Sequence, residues 1–308
     1  MMDFAQPQSN GEDGDELCPN HRETLPPAMN EGHTQAQTQG QELEKIDNLA
    51  SVMTVHESGQ IFEERNGDLT YSHTSIIFKK GYEYFYAKTE IRYEIDDDIP
   101  LDELNIEPIH IDHIWPLFPQ DFTIAPEPLP INAYVKSSSL VYYEIGIAMG
   151  FSASRLLLEE AQVCEILRKN PHPNITEYLG CVVHENRITS LCFVKYDATL
   201  AMLVAQMPHK VDQIGRISLL NGIEAGVQHL HKLGLIHNDL NPSNIMIDAE
   251  NVPRIIDFDS CQKLGQPLGS KSGTIGFFKE GAEFAQVEND HYALTKIRDY
   301  LSLPSLSP

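Results

Sequence analysis

The sequence predicts an α+β fold, on three observations. Residues 51–94 carry β-rich runs broken by turn residues. Residues 131–300 alternate strand-like and helix-like patterns. Two short apolar runs between 245 and 256 are separated by turn chemistry and flanked by polar residues at fixed offsets. The chain has 308 residues, enough for one or two domains with a sizeable core. Its formal charge is -23, from 22 Lys+Arg against 45 Asp+Glu. Like charge repels a phosphate backbone, so neither nucleic acid nor a membrane is expected as a partner. No apolar run reaches 18 residues, and no basic segment followed by an apolar stretch opens the chain. Neither a spanning helix nor a secretory signal is expected, and a cytoplasmic location follows. The five cysteines form no C-x-x-C pair, which argues against a disulfide framework or a structural zinc.

Three segments are expected. Residues 1–50 hold one aromatic, Phe4, among Gln, Asn, Glu, Asp, Gly and Pro, and read as a disordered acidic tail. Residues 51–130 read as a β-rich leader and proline-rich connector. Within them Thr74 to Phe78 and Tyr82 to Tyr86 form a hairpin around Lys79-Lys80-Gly81, with Thr89 to Ile95 as a third strand. Asp96-Asp97-Asp98 and Asp102-Glu103 lack the central Gly of a calcium loop and read as a solvated acidic turn. Residues 105–130, with the only Trp, Trp115, read as a packed, extended connector. Residues 131–308 carry the chemistry.

That chemistry centres on His237 to Asp259. Ile245-Met246-Ile247 and Arg254-Ile255-Ile256 are joined by Asp248 to Pro253, which predicts a hairpin. A turn centred between Glu250 and Asn251 sets Asn244 opposite Asp257, with Cβ atoms about 5 Å apart. An amide oxygen and a carboxylate so placed suit a hard cation such as Mg²⁺. Asp239, five residues before Asn244, is placed to orient a hydroxyl and accept its proton. Upstream, Glu160, Val163, Cys164 and Leu167 recur at helical spacing, so Glu160 lies beside an apolar stripe and needs a cation. Lys136, in the strand-like Ala133-Tyr134-Val135-Lys136, is the candidate. Glu159 competes for the same role, because Val163 and Ile166 follow it at i+4 and i+7. Ile217, Leu220, Ile223, Val227 and Leu230 predict a long helix that ends at Gly234.

The segment H-N-D-L-N-P-S-N followed by I-D-F-D resembles the catalytic loop and metal motif of the protein-kinase fold. His172-Pro173-Asn174-Ile175, Leu191 to Tyr196, Gly273-Thr274-Ile275-Gly276-Phe277 and Asp290 to Leu294 extend the resemblance over about 131–300. The chain is similar to kinase-like proteins of filamentous fungi. The resemblance implies a two-lobed protein-kinase-like fold with a β-rich N-terminal leader and a truncated C-lobe. It implies transfer of the γ-phosphoryl of Mg-ATP to a Ser or Thr hydroxyl of a protein. Asp239 and Lys136 would be catalytic. Lys136, Glu160, Lys195 and Tyr196 would bind the nucleotide, the last two through backbone groups at the adenine. Asn244 and Asp257 would bind Mg²⁺, and His237 would be architectural.

Five departures accompany it. No Gly occurs between Gly81 and Gly146, so no Gly-rich loop precedes Lys136. Asn238 stands where the catalytic loop has Arg, Asn241 where a basic residue follows the catalytic Asp, and Asp259 where D-F-G has Gly. No A-P-E follows Gly276, and the sequence stops at Pro308. These leave two alternatives: a small-molecule phosphotransferase of the aminoglycoside or choline kinase type, taking a small hydroxyl substrate, and an ATP-binding pseudokinase acting as an interaction module. The H-P-N-I and G-T-I-G-F segments oppose the first. Intact Lys136, Asp239, Asn244 and Asp257 oppose the second.

Overall fold

The computed structural model describes residues 53–65, 68–93, 101–269 and 273–302. The expected disordered tail, the acidic turn at Asp96–Asp98 and Cys18 lie outside the described residues. The leader opens with two long antiparallel strands, β1 (Thr54–Arg65) and β2 (Asp68–Lys80), whose register shifts after Val55 and Ile61. β3 (Glu83–Thr89) returns along β2. The expected hairpin is present, but its turn is Gly81-Tyr82, since Lys80 already pairs with Glu83. Gly81 takes φ 60 there, in the left-handed region that glycine tolerates.

The expected third strand does not form in its described part. β3 ends at Thr89, and side chains instead of a ladder satisfy the next carbonyls. Tyr71 Oη donates to the Glu90 and Ile91 oxygens at 3.2 Å, and Thr74 Oγ1 donates to Ile91 O at 2.8 Å. Alternation along the strands divides the sheet between two cores. Ile77, Tyr84 and Tyr86 enter the main core, whereas Ile76, Phe78 and Ala87 form a small second one with Leu104 and Ile106. β4 (Glu107–Pro108) completes the sheet in the order β1-β2-β3-β4. A 3-10 turn, Ile111–His113, leads to Trp115, buried edge-on against Tyr82 and Tyr84. Of the expected packed connector, Ile109, Ile114, Trp115 and Ala125 are buried, whereas Leu117, Ile124 and Leu129 are exposed.

The body begins with β5 (Ala133–Lys136), then two helices, α1 (Tyr143–Ala148) and α2 (Ala153–Lys169). Ser152 Oγ accepts from Arg155 N–H at 3.2 Å and caps α2. Two further strands, β6 (Tyr178–His184) and β7 (Arg187–Val194), give a sheet ordered β5-β7-β6. All four predicted α2 stripe residues are buried.

After β8 (Ala198–Thr199) come α3 (Leu200–Gln206), α4 (Pro208–Ile214) and α5 (Arg216–Lys232). The buried face of α5 runs through Leu219, Ile223, Val227 and Leu230; Ile217, expected on it, is 77 % exposed. Both sets share Ile223, Val227 and Leu230. The neighbours packed on α5 select Leu219, four residues before Ile223, as the next member. Gly234, with φ 73, ends the helix as expected. Short strands follow: β9 (Leu235–Ile236), β10 (Ile245–Ile247), β11 (Pro253–Ile255) and β12 (Gln262–Lys263). The last described helix is α6 (Val287–Ser302).

Leader and body share one hydrophobic core, which runs from Ile77 and Trp115 through Leu157 and Leu191 to Leu230 and Ile297. Residues 51–308 group as one compact unit. The four described cysteines are buried, free thiols. Among the described residues no helix is long and apolar enough to cross a membrane.

Candidate active site

The hairpin at 245–255 forms, with one residue of difference in register. Ile245 pairs with Ile255, Met246 with Arg254 and Ile247 with Pro253. Asn244 therefore faces Ile256, whose N–H donates to Asn244 O at 3.0 Å, and not Asp257 as expected. The turn explains the shift. Asp248 Oδ1 accepts from the N–H groups of Glu250 and Val252, and Asn251 takes φ 63. The turn so closed has an odd number of residues and is centred on Glu250. Asn244 and Asp257 make no hydrogen bond with each other. Asp257 leaves the strand at φ 64, a left-handed conformation that an Asp adopts at a cost.

Asp257 turns instead to Lys136. The ammonium lies 2.6 Å from Asp257 Oδ1, 2.7 Å from Glu160 Oε1 and 3.7 Å from Asp259 Oδ2. Glu160, 4 % exposed, also accepts from Phe258 N–H at 3.3 Å, so one carboxylate joins β5, α2 and the loop after β11. Glu159, the rival, pairs with Arg155 one turn earlier on its own helix. Burial opposes the Lys136 charge, yet Glu160, Asp257 and Asp259 together raise its pKa well above the ordinary lysine value.

Asp239 is held on several sides. Its Oδ1 accepts from the Thr274 N–H and Thr274 Oγ1, both at 2.8 Å, and from Asn241 Nδ2 at 3.3 Å. Its Oδ2 accepts from Asn244 Nδ2 at 3.2 Å, so Asn244 meets Asp239 through its amide nitrogen. His237, fully buried, bonds Ile256 O through Nε2 and accepts from Asp239 N–H at Nδ1, packing on Phe258 as an architectural residue would. Asp290, also fully buried, accepts the N–H groups of His237 and Asn238 at 3.0 and 2.9 Å and bonds His231 Nε2. Asp290 and Thr274 were legible only as parts of longer motifs. Their roles here come from chain distances of about fifty and thirty-five residues that no local pattern encodes.

Asn238, with φ 64, donates through its amide to Ile236 O and Ser260 O and accepts from Asn289. These partners are neutral and present no cation to a phosphorylated loop. Any transfer activity is therefore expected to change less than about twofold on phosphatase treatment, measured as initial rate before and after.

Two cavities meet at Lys136 and Asp257. One, about 370 Å³, is lined by Tyr134, Phe193, Val194, Met246 and Ile256, with Lys195 and Tyr196 at its wall. Lys195 N–H is donated to Asn132 O at 2.7 Å as the β5–β7 ladder continues, so that N–H is taken. The other cavity, about 810 Å³, collects Glu160, Asp239, Asp259 and Thr274 beside an apolar wall that includes Ile145, Met149 and Leu156. Asn244 lines neither cavity.

Residues 152–279 match the protein kinase domain family. The chain is 32 % identical over 111 residues to MAP kinase kinase kinase SSK2 of Saccharomyces cerevisiae, covering 35 % of this chain and 7 % of that protein. It is 29 % identical over 122 residues to the serine/threonine-protein kinase SSK22 of the same yeast, covering 39 % and 8 %. With the serine/threonine-protein kinase Tao of Drosophila melanogaster the identity is 35 % over 111 residues, covering 35 % and 10 %. The matched part thus spans a tenth or less of the length of these relatives.

Proposed function

Because this chain carries a protein-kinase-like fold, we propose that it is a phosphotransferase using Mg-ATP, and that the acceptor is a Ser or Thr hydroxyl of a protein. One observation carries the reading. The Lys136 ammonium, held by Glu160 and Asp257, lines the same cavity as Asp239, which already accepts a hydroxyl hydrogen bond from Thr274.

The residues fit the absent groups. The smaller cavity has an apolar lining suited to an adenine, with Lys195 and Tyr196 at its wall. Asp257, which lines both cavities, offers the hard carboxylate oxygens that Mg²⁺ prefers, in a set to be completed by phosphate and water oxygens, whereas Asn244 lines neither cavity and would join that set only by turning its amide oxygen toward it. Among the described residues no three His, Cys, Asp or Glu side chains are disposed to hold a metal by themselves, so the site would depend on those additional oxygens. Bound Mg-ATP supplies the transferable phosphoryl group and the charge that offsets the carboxylates. Lys136 would neutralise phosphate charge, Glu160 would keep its ammonium in place, and the Asp239 carboxylate would orient the acceptor hydroxyl and take its proton. Such catalysis is mainly positioning and charge stabilisation.

Calorimetric titration with ATP, with and without Mg²⁺, tests the nucleotide site. Asp257→Ala is expected to weaken Mg-ATP binding by about tenfold or more, because it removes the one charged metal ligand. Binding equal to wild type would refute the metal assignment. Radiolabel transfer to a protein panel, set against amines and sugars, tests the acceptor class. Label on the small molecules alone would overturn the protein-substrate reading.

A further inference from the structure

Glu160 meets Lys136 only while α2 lies against the β5–β7–β6 sheet, and the leader holds α2 there. Glu165 follows Glu160 by five residues, about 140° around the helix, and meets a different neighbour. It is 5 % exposed, and both its oxygens are taken by one connector residue. Thr123 N–H donates to Oε1 at 2.7 Å and Thr123 Oγ1 donates to Oε2 at 3.1 Å. Thr123 is itself pinned to the edge of β6. Its carbonyl accepts from Cys181 N–H at 2.7 Å, and Ala125 N–H donates to Cys181 O at 2.8 Å. The approach is so close that a Cβ on Gly180 would lie 2.6 Å from the Ile124 and Ala125 backbone.

The leader also grips the residues ahead of α2. Tyr86 Oη donates to Glu144 at 2.7 Å, Lys88 pairs with the same carboxylate at 2.5 Å, and Glu57 Oε2 accepts from Leu140 N–H at 2.7 Å. Within the site, by contrast, Asn238 gives no cation through which a modified loop would hold the helix.

We infer that Thr123 and Glu165 are positioning residues: the connector sets the depth of α2, and through it the Lys136–Glu160 contact, so that nucleotide affinity depends on a hydrogen-bonded pair outside the nucleotide site. This rests on the nucleotide-binding reading above. Coupling through one rigid helix is reciprocal, so nucleotide binding tightens the connector's hold in turn.

The test uses the full chain and three variants, Thr123→Val, Thr123→Ser and Glu165→Gln. Mg-ATP affinity is measured by calorimetry, and hydrogen exchange is followed over residues 153–169. Thr123→Val loses the hydroxyl donor at constant shape and is expected to weaken Mg-ATP by about tenfold. Thr123→Ser restores the donor and is expected to bind within about twofold of wild type. Val binding as tightly as wild type, or Ser as weakly as Val, overturns the inference. If Thr123→Val loses its cooperative melt, Glu165→Gln decides, since it keeps volume and one acceptor: unchanged affinity overturns, a loss of about threefold or more supports. If wild type binds no Mg-ATP, the nucleotide reading fails separately. The exchange data then decide the positioning role: faster exchange over 153–169 in Val but not Ser supports it, and equal exchange overturns it.

Discussion

Lys136→Met is expected to lower folding stability by about 3–5 kcal/mol at neutral pH and to remove measurable Mg-ATP binding, because it leaves a buried carboxylate without its cation. Glu160 is 4 % exposed, and Asp257 and Asp259 stand close to the same ammonium. Burial pushes the Glu160 carboxyl above its ordinary value of 4.5, Lys136 pulls it down, and the two aspartates push it up. Removing the lysine takes away that downward pull and leaves burial and the two aspartates pushing the carboxyl up. In the variant the folded state then holds a proton that the unfolded chain releases. The variant's stability is therefore greatest below the unfolded value and falls as pH rises through the raised folded one. Urea melts at pH 5 and pH 8 measure this: the deficit relative to wild type should be smaller at pH 5. An equal deficit at both would mean that Glu160 is not the group left unpaired.

The second large effect is on rate. Asp239→Asn preserves shape and keeps an oxygen that accepts from Thr274, but that oxygen is a poor proton acceptor. Phosphoryl transfer should fall by about 10²–10⁴-fold, while Mg-ATP affinity stays within about threefold. Steady-state rates combined with a nucleotide titration separate the two quantities. A variant that keeps a tenth or more of the wild-type rate would show that Asp239 takes no proton. A variant that loses nucleotide affinity instead would assign it to binding. The Thr274 contacts at 2.8 Å make the comparison sharp, since they show which carboxylate oxygen already receives a hydroxyl.

Several parts of this site were legible along the chain. Strand β5 ends at Lys136 and α2 carries Glu160 on its buried side, as their local patterns predict. The spacing within His237 to Asn244 brings Asn244 to Asp239, five residues apart, through a single 3-10 turn, Pro242–Asn244. The expected opposition of Asn244 and Asp257 does not form, because Asn244 faces Ile256. It turned on whether the loop between two three-residue strands holds an even or an odd number of residues, and Asp248 decided that by accepting two N–H groups. The choice between Glu159 and Glu160 also needed the fold, because adjacent residues on a helix differ by about 100° and both satisfied the apolar spacing.

Periodicity, turn chemistry and short offsets act over a few residues, so the amino-acid sequence by itself determined the α+β pattern, the long helices and the loop that carries Asp239 and Asn244. Tertiary structure alone decided which carboxylates surround Lys136, that Thr274 and Asp290 close on the loop of His237 to Asp239, and that Thr123 grips Glu165. Those contacts join residues from about 35 to 120 positions apart. Their geometry is set by how the sheet, the helices and the leader pack into one shared core, a three-dimensional condition that no window along the chain contains.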